Sequence, residues 1–341
     1  MTGEDRRQTR TLLSAIAGLA ALCTVQVQAQ ELIRVASFTP EQAVGVRFVM
    51  KPWMEAVQAD VGDKVKMQGF WGGSLGRNPF KQYELVRDGV IDVAWVLTAY
   101  TPGQFSQLQV MELPFGVKTG EEASVVGWRL FEQGNLKGFE DVKIITVWNA
   151  EPAVIHTVKP INGLDQVKNL RLRTVGSVQG KFVEALGGAP QTMSSTEANE
   201  AAMRGAIDGL VQGWTGMRTF KSFQVVNGSF DVPFGAFPFL LVMNKAKWES
   251  LPPDVQAAMM KHGGEGLARQ GGQAYDRISQ EIQKEKEADP NYTVVRPAAA
   301  DLTAEKVPYR QVHEDWIAEN DDGQRVYDLY MKIIDQYRSG G

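Results

Sequence analysis

Short apolar runs alternate with amphipathic stretches along most of this chain, and that alternation limits its fold more than any other feature. Leu32-Ile33-Arg34-Val35-Ala36 reads as a strand. A helical pattern follows, with Val46, Val49, Trp53 and Val57 on one face, and Pro52 inside it is expected to kink or break it. Val65 and Met67 alternate with lysines, as in a half-exposed strand. Pro79 suits the first turn of a helix carrying Phe80, Tyr83 and Val86 and stopped at Gly89, after which Ile91 to Val96 reads as a strand. The order then recurs. Leu170 to Val175 reads as a strand, and Ser177 as the cap of a helix ended by Gly187-Gly188. A further helix runs from about Ser195 to Gly205, before a strand over Ile207 to Val211. Strands separated by helices of this length form βαβ units, so the expected class is α/β with a largely parallel sheet.

A short internal echo points to two related lobes: Arg87-Asp88-Gly89-Val90-Ile91-Asp92 resembles Arg204-Gly205-Ala206-Ile207-Asp208. Phe237 to Met243 is an apolar strand, and Pro252-Pro253 start a helical stretch that reaches about Glu287. Ala298-Ala299-Ala300 reads as a linker. Thr303 to Asn320 and Gln324 to Tyr337 read as amphipathic helices.

The N-terminus has the order of an export signal. Arg6, Arg7 and Arg10 precede an apolar run from Leu12 to Val25, and Val27-Gln28-Ala29 offers small residues for cleavage, so residues 1–29 are expected to be a signal peptide. The run is too short to span a bilayer, which needs about 20 residues. Cys23, the only cysteine, lies inside it, and the preceding Leu22 is too large for a lipoprotein site. The mature chain is therefore expected in the periplasm, without disulfides or thiol chemistry and not embedded in the membrane. A composition of 43% hydrophobic and 22% charged residues supports a sizeable core. The formal net charge of -4 provides no basic face for nucleic acid.

Enzyme motifs are absent. His156, His262 and His313 show no metal-ligand spacing, so no metal or cofactor is expected. There is no nucleophile elbow, phosphate loop or dinucleotide fingerprint. What stands out is a strand with arginines: Arg171 and Arg173 alternate with Leu170 and Leu172 and so share one face. An arginine fork there, before the turn Val175-Gly176-Ser177, is placed to make two charge-assisted bonds to a carboxylate, although a solvated edge or a structural ion pair fits the spacing as well. Trp71, Trp95, Trp148 and Trp214 each fall at or just after the end of an expected strand, where ligands bind in open α/β sheets. They could wall a pocket or simply fill the core.

Taken in order, these stretches resemble the substrate-binding subunits of tripartite ATP-independent periplasmic (TRAP) transporters, of the dicarboxylate-binding type. The motifs are Gly72-Gly73-Ser74-Leu75-Gly76, Arg87 to Asp92, Glu112-Leu113-Pro114-Phe115, Lys159-Pro160-Ile161 with Asp165 to Arg173, Leu186 to Pro190 with Met193 and Glu197, Gly205 to Gly209, and Asn244-Lys245 with Trp248, Leu251 and Pro252. The resemblance implies a two-lobed periplasmic binding protein of type II kind, with a hinge and a long bracing helix. Lobe I would take residues 30–150 and 239–278, and lobe II residues 151–238 and 279–341. It implies that Arg173 anchors a ligand carboxylate, that Gln212 beside Trp214 adds a polar contact, and that the partners are a small organic acid and the TRAP membrane subunits.

Many members carry a second arginine about eight residues before the Lys-Pro-Ile step; here Glu151-Pro152 occupy that region. A second ligand carboxylate would lose its partner, so C4-dicarboxylates and sialic acid are not expected. An aromatic or hydrophobic monocarboxylate could stack on Trp148 or Trp214. An amine-bearing ligand could instead meet Glu151 and the indole faces. A periplasmic enzyme and a binding protein serving a sensor are the competing readings.

Overall fold

A computed structural model describes residues 31–101 and 103–341; the expected signal peptide, residues 1–29, lies outside the described residues. Among the described residues, eleven strands form two sheets. The first contains β1 (Glu31–Ala36), β2 (Val65–Phe70), β3 (Val93–Leu97), β4 (Val142–Asn149) and β10 (Pro238–Asn244), in the order β2-β1-β3-β10-β4. The second contains β5 (Val154–Thr157), β6 (Arg171–Thr174), β7 (Ala189–Thr192), β8 (Gly209–Gln212), β9 (Gly228–Phe230) and β11 (Thr293–Val295), in the order β11-β9-β5-β8-β6-β7.

The sheets repeat one plan. β1 is parallel to β2 and β3 in the first, as β6 is to β7 and β8 in the second. The internal echo is part of this repeat. Arg34 on β1 forks onto Asp92 just before β3, with both nitrogen–oxygen distances 2.9 Å. Arg171 on β6 forks onto Asp208 just before β8, at 2.9 and 2.8 Å. Gly89 and Gly205, each near such an aspartate, have positive φ values of 74° and 66°. In this register the counterpart of Arg173 is Ala36.

Both sheets are mixed rather than largely parallel. β10 runs antiparallel to β3 and β4, and β5 antiparallel to β8 and β9. Each of these is the first strand after the chain crosses from the other sheet, through Ala150–Ala153 or Asp231–Phe237. A strand entering from the inter-sheet side must run against those that end there.

The helix Gly264–Glu287 makes a third link. Its first half packs against the helix Gly120–Gly134 and β4; farther along it meets the short helix Trp214–Thr219 and β11. Of its buried residues, Leu267, Ala268, Ala274 and Tyr275 join the larger core, and Ile282 joins the second sheet's own core. The expected continuous helix from Pro253 is in fact two, Pro253–Lys261 and Gly264–Glu287. Gly264 breaks it with φ +62°, and a Cβ at Gly263 would lie 2.6 Å from the Ile145 carbonyl oxygen. At the C-terminus, Tyr309–Glu319 begins only after Pro308, later than its pattern implies; Gly323–Arg338 packs on the helix Gly120–Gly134.

Pro52 sits in the first turn of the helix Lys51–Val61, where its missing N–H is harmless, behind a π-helical turn over Val46–Met50. Ser177 is the first helical residue rather than the cap, which is Gly176, and the helix expected from Ser195 starts at Ala198. Among the described residues, no helix is long and apolar enough to cross a membrane.

Candidate functional site

The carboxyl ends of β1, β3, β4, β6 and β8 converge between the sheets, where a cleft encloses ≈ 550 Å³ including its mouth. Its wall draws on both halves. Phe38 and Thr39 follow β1, Trp95 and Leu97 lie on β3, and Tyr100 follows it. Arg173 is next to last on β6, Gln212 ends β8, and Phe239 is the second residue of β10. Most of the surface is apolar, and much of it is aromatic. The Trp95 ring lies 4.9 Å from Phe239 at 77° and 6.0 Å from Phe38, and Phe220, Phe237 and Tyr275 complete the wall. Such a lining favours an apolar, ring-sized guest.

Arg173 is the only charged side chain in this wall, and it is 0% exposed. Its Nε donates to the Met193 carbonyl at 3.0 Å and its Nη1 to Gln212 Oε1 at 3.0 Å. Nη2 donates to the Tyr100 hydroxyl at 3.1 Å and to Ser195 Oγ at 3.0 Å. All four acceptors are neutral, and no carboxylate of the described residues forms an ion pair with the guanidinium. Burial holds its pKa below the usual arginine value; the Tyr100 hydroxyl and the charge of Glu197, acting through space, oppose that only in part. Stripping water from an unpaired cation costs several kcal/mol, so the arrangement is electrostatically unfinished without an anion.

The surrounding groups add donors, not acceptors. A guanidinium has five N–H groups, and four are used. Gln212 turns Oε1 to Arg173, which leaves its buried Nε2 with no acceptor among the described residues. That nitrogen faces Gly216, where a Cβ would lie only 2.7 Å away. The Tyr100 oxygen already accepts from Arg173 and from the Ser195 backbone N–H at 2.8 Å, so its own proton is a donor, with Ser195 Oγ 3.3 Å away as its acceptor in the protein. Behind the site, His156 holds the Gln212 carbonyl at 3.1 Å and Ser229 at 2.7 Å. Burial lowers its pKa to about 3, so it is neutral and structural.

Of the residues singled out in the sequence, Arg173, Gln212 and Trp95 share this wall. The other four lie elsewhere. Trp148 is wholly buried behind Trp95, with ring centroids 5.3 Å apart. Trp214 turns into the second core, edge-on to His156 at 5.0 Å. Trp71 is half-buried and folds over Gly69 in a loop whose Gly72 and Gly73 bond to Thr39 and Ser37. Glu151 accepts from the Thr215 N–H at 2.8 Å and the Thr215 hydroxyl at 3.1 Å, and burial raises its pKa to about 8.

Arg171 and Arg173 separate because β6 begins at the solvent edge and ends in the cleft: Arg171 pairs with Asp208 at the surface. Tyr100 and Ser195 were not legible in the sequence. Neither stands in a periodic pattern, and they meet only across the two halves.

Similar proteins share this architecture. A TRAP solute-binding protein from a marine metagenome, specific for aromatic acid ligands and solved with metahydroxyphenylacetate, superposes with a TM-score of 0.85 at 28% identity, covering 90% of this chain and 99% of that one. A TRAP solute-binding protein from Rhodoferax ferrireducens, solved with copurified benzoate, has the same fold, with a TM-score of 0.85, 23% identity and coverage of 90% and 98%. The outer membrane transporter protein TsaT of Comamonas testosteroni is 26% identical over 286 residues, 82% of this chain and 83% of its own length. The type II two-lobed fold expected from the resemblance is the fold observed. Residues 35–320 match the family model throughout the two sheets just described, and the chain belongs to the bacterial extracellular solute-binding proteins of family 7, the DctP family.

Proposed function

We propose that this protein, exported to the periplasm, captures a small aromatic monocarboxylate in the cleft and delivers it to the membrane subunits of a TRAP transporter. One observation carries the reading: a wholly buried arginine with only neutral acceptors opens onto an aromatic wall. The ligand carboxylate would take the remaining Arg173 N–H and the donors of Gln212 and Tyr100, while its ring packs against Trp95, Phe38 and Phe239. The wall contains no second cation, which disfavours dicarboxylates. The aromatic acid in the marine neighbour agrees with this choice. Glu151 lies outside the wall, and its raised pKa leaves it largely protonated at neutral pH, so an amine would find no anion there.

The test is a thermal-shift screen followed by calorimetry, with benzoate, 3-hydroxyphenylacetate, succinate and benzylamine. Binding of the two aromatic acids in preference to the other two is expected. Tighter binding of succinate or benzylamine would sink the proposal.

A further inference from the structure

Tyr100 joins the two halves at the charged end of the cleft. It ends a 3-10 turn, Thr98–Tyr100, directly after β3 of the first sheet. Its hydrogen-bond partners all belong to the second: the Arg173 Nη2 at 3.1 Å, the Ser195 backbone N–H at 2.8 Å and the Ser195 Oγ at 3.3 Å. The ring is held from its own side by Phe80, with centroids 4.6 Å apart, and by Phe38 at 6.1 Å. The halves also touch next to it, since a Cβ added to Gly176 would lie 3.2 Å from Ala99 Cβ. Moving the sheets apart would free one N–H of the Arg173 Nη2 and the Ser195 N–H together, while the other Nη2 proton stays on Ser195 Oγ.

We propose that Tyr100 is a positioning residue that makes carboxylate capture and lobe closure one event, an inference that rests on the reading of Arg173 as the carboxylate anchor. With the lobes together, the tyrosine hydroxyl fixes one edge of the guanidinium fork and turns its own proton from Ser195 Oγ to the ligand. With the lobes apart, Arg173 keeps its Met193, Gln212 and Ser195 bonds but loses that constraint. A carboxylate therefore binds best in the closed form, and closure traps it.

The experiment uses the full chain with Cys23→Ser and fluorescent labels at Val90→Cys and Met203→Cys. These are exposed positions, preceding β3 and β8 respectively. Tyr100→Phe keeps the ring against Phe80 and Phe38 and deletes only the hydroxyl. Single-molecule energy transfer without ligand tests the latch alone; the parent is expected to show a short-distance population that Tyr100→Phe depletes. With benzoate, Tyr100→Phe is expected to bind about tenfold more weakly, consistent with loss of a hydrogen bond to a charged group. The change should lie in faster dissociation, with association within about twofold.

Identical distance distributions for parent and variant, with and without benzoate, would overturn the inference. So would weaker binding with unchanged dissociation and full closure, which would make the hydroxyl a ligand contact only. Failure of the parent to bind any aromatic acid would refute the ligand reading instead, while the ligand-free distances would still decide whether the latch exists.

Discussion

Replacing Arg173 with Met separates its role in binding from its role in the fold. Met keeps the flexible apolar stem of Arg but ends short of its guanidinium, so packing along the stem is retained while the charge is lost. In the ligand complex the guanidinium and a carboxylate form a pair out of water, and losing one partner of such a pair costs about 3–5 kcal/mol. At 1.4 kcal/mol per factor of ten, that is roughly a 100- to 5,000-fold loss of affinity.

Stability should respond quite differently. The substitution strands the Met193 carbonyl, Gln212 Oε1 and Ser195 Oγ, each worth about 1–3 kcal/mol if left unsatisfied, while the Tyr100 oxygen keeps the Ser195 N–H. Against this, it removes a buried cation that no carboxylate of the described residues contacts, a burden of several kcal/mol. The two hydroxyls already lie 3.3 Å apart and can bond to each other. The opposing effects are of similar size, so the melting temperature should move by no more than about 3 °C. Calorimetric titration with benzoate, paired with a circular-dichroism melt, checks both halves. A variant that binds benzoate within about threefold of the parent would refute the anchor; one that unfolds outright would refute the claim that the charge serves binding more than stability.

Gln212→Leu removes both an acceptor for Arg173 and a donor for the ligand, and should weaken benzoate binding about tenfold; unchanged calorimetry would show that the amide plays no part. Trp95→Leu should cut affinity for benzoate far more than for acetate, because the lost surface faces the ring; equal losses for both acids would argue against stacking. Glu151 and Glu112 are wholly buried, and burial holds both carboxyls at about 8 in place of 4.5. The folded protein keeps these protons while the unfolded chain releases them, so stability should fall as pH rises from about 4.5 to about 8. Glu151→Gln preserves a neutral group against Thr215 and should flatten that fall, and melting curves that track the parent's at every pH would contradict the assignment.

Period and punctuation settled the elements. The alternation of apolar runs with amphipathic stretches located β1, β2, β3, β6, β8 and β10, because a buried strand or helix face must be apolar whatever its partner, but it set no bounds for β4, β5, β7, β9 or β11. The echo around Asp92 and Asp208 pointed to two related lobes, since an arginine–aspartate fork and a positive-φ glycine need only a few adjacent residues. Boundaries drifted where a proline or a glycine pair overrode the pattern, at Pro308 and at Gly263-Gly264.

The site was legible only in part. Arg173 could be found because its strand alternates with leucines and its motif resembles a family. That Arg171 would pair at the surface while Arg173 sits buried and without a carboxylate could not be read from a strand in which both occupy equivalent positions. The four tryptophans are alike on paper. Only the packing of β10 between β3 and β4 puts Trp95 at the wall and Trp148 behind it.

Local chemistry, then, was determined by the sequence itself: which segments are strands, where turns fall, and which strand bears the cation. The tertiary structure alone decided which side chains meet across the cleft, Tyr100 with Arg173 and Ser195 above all. The reason is physical: backbone propensity and periodicity act over a few residues, whereas the hydroxyl of Tyr100 and the guanidinium of Arg173 are 73 positions apart and come together only when the carboxyl ends of the two sheets meet across the cleft.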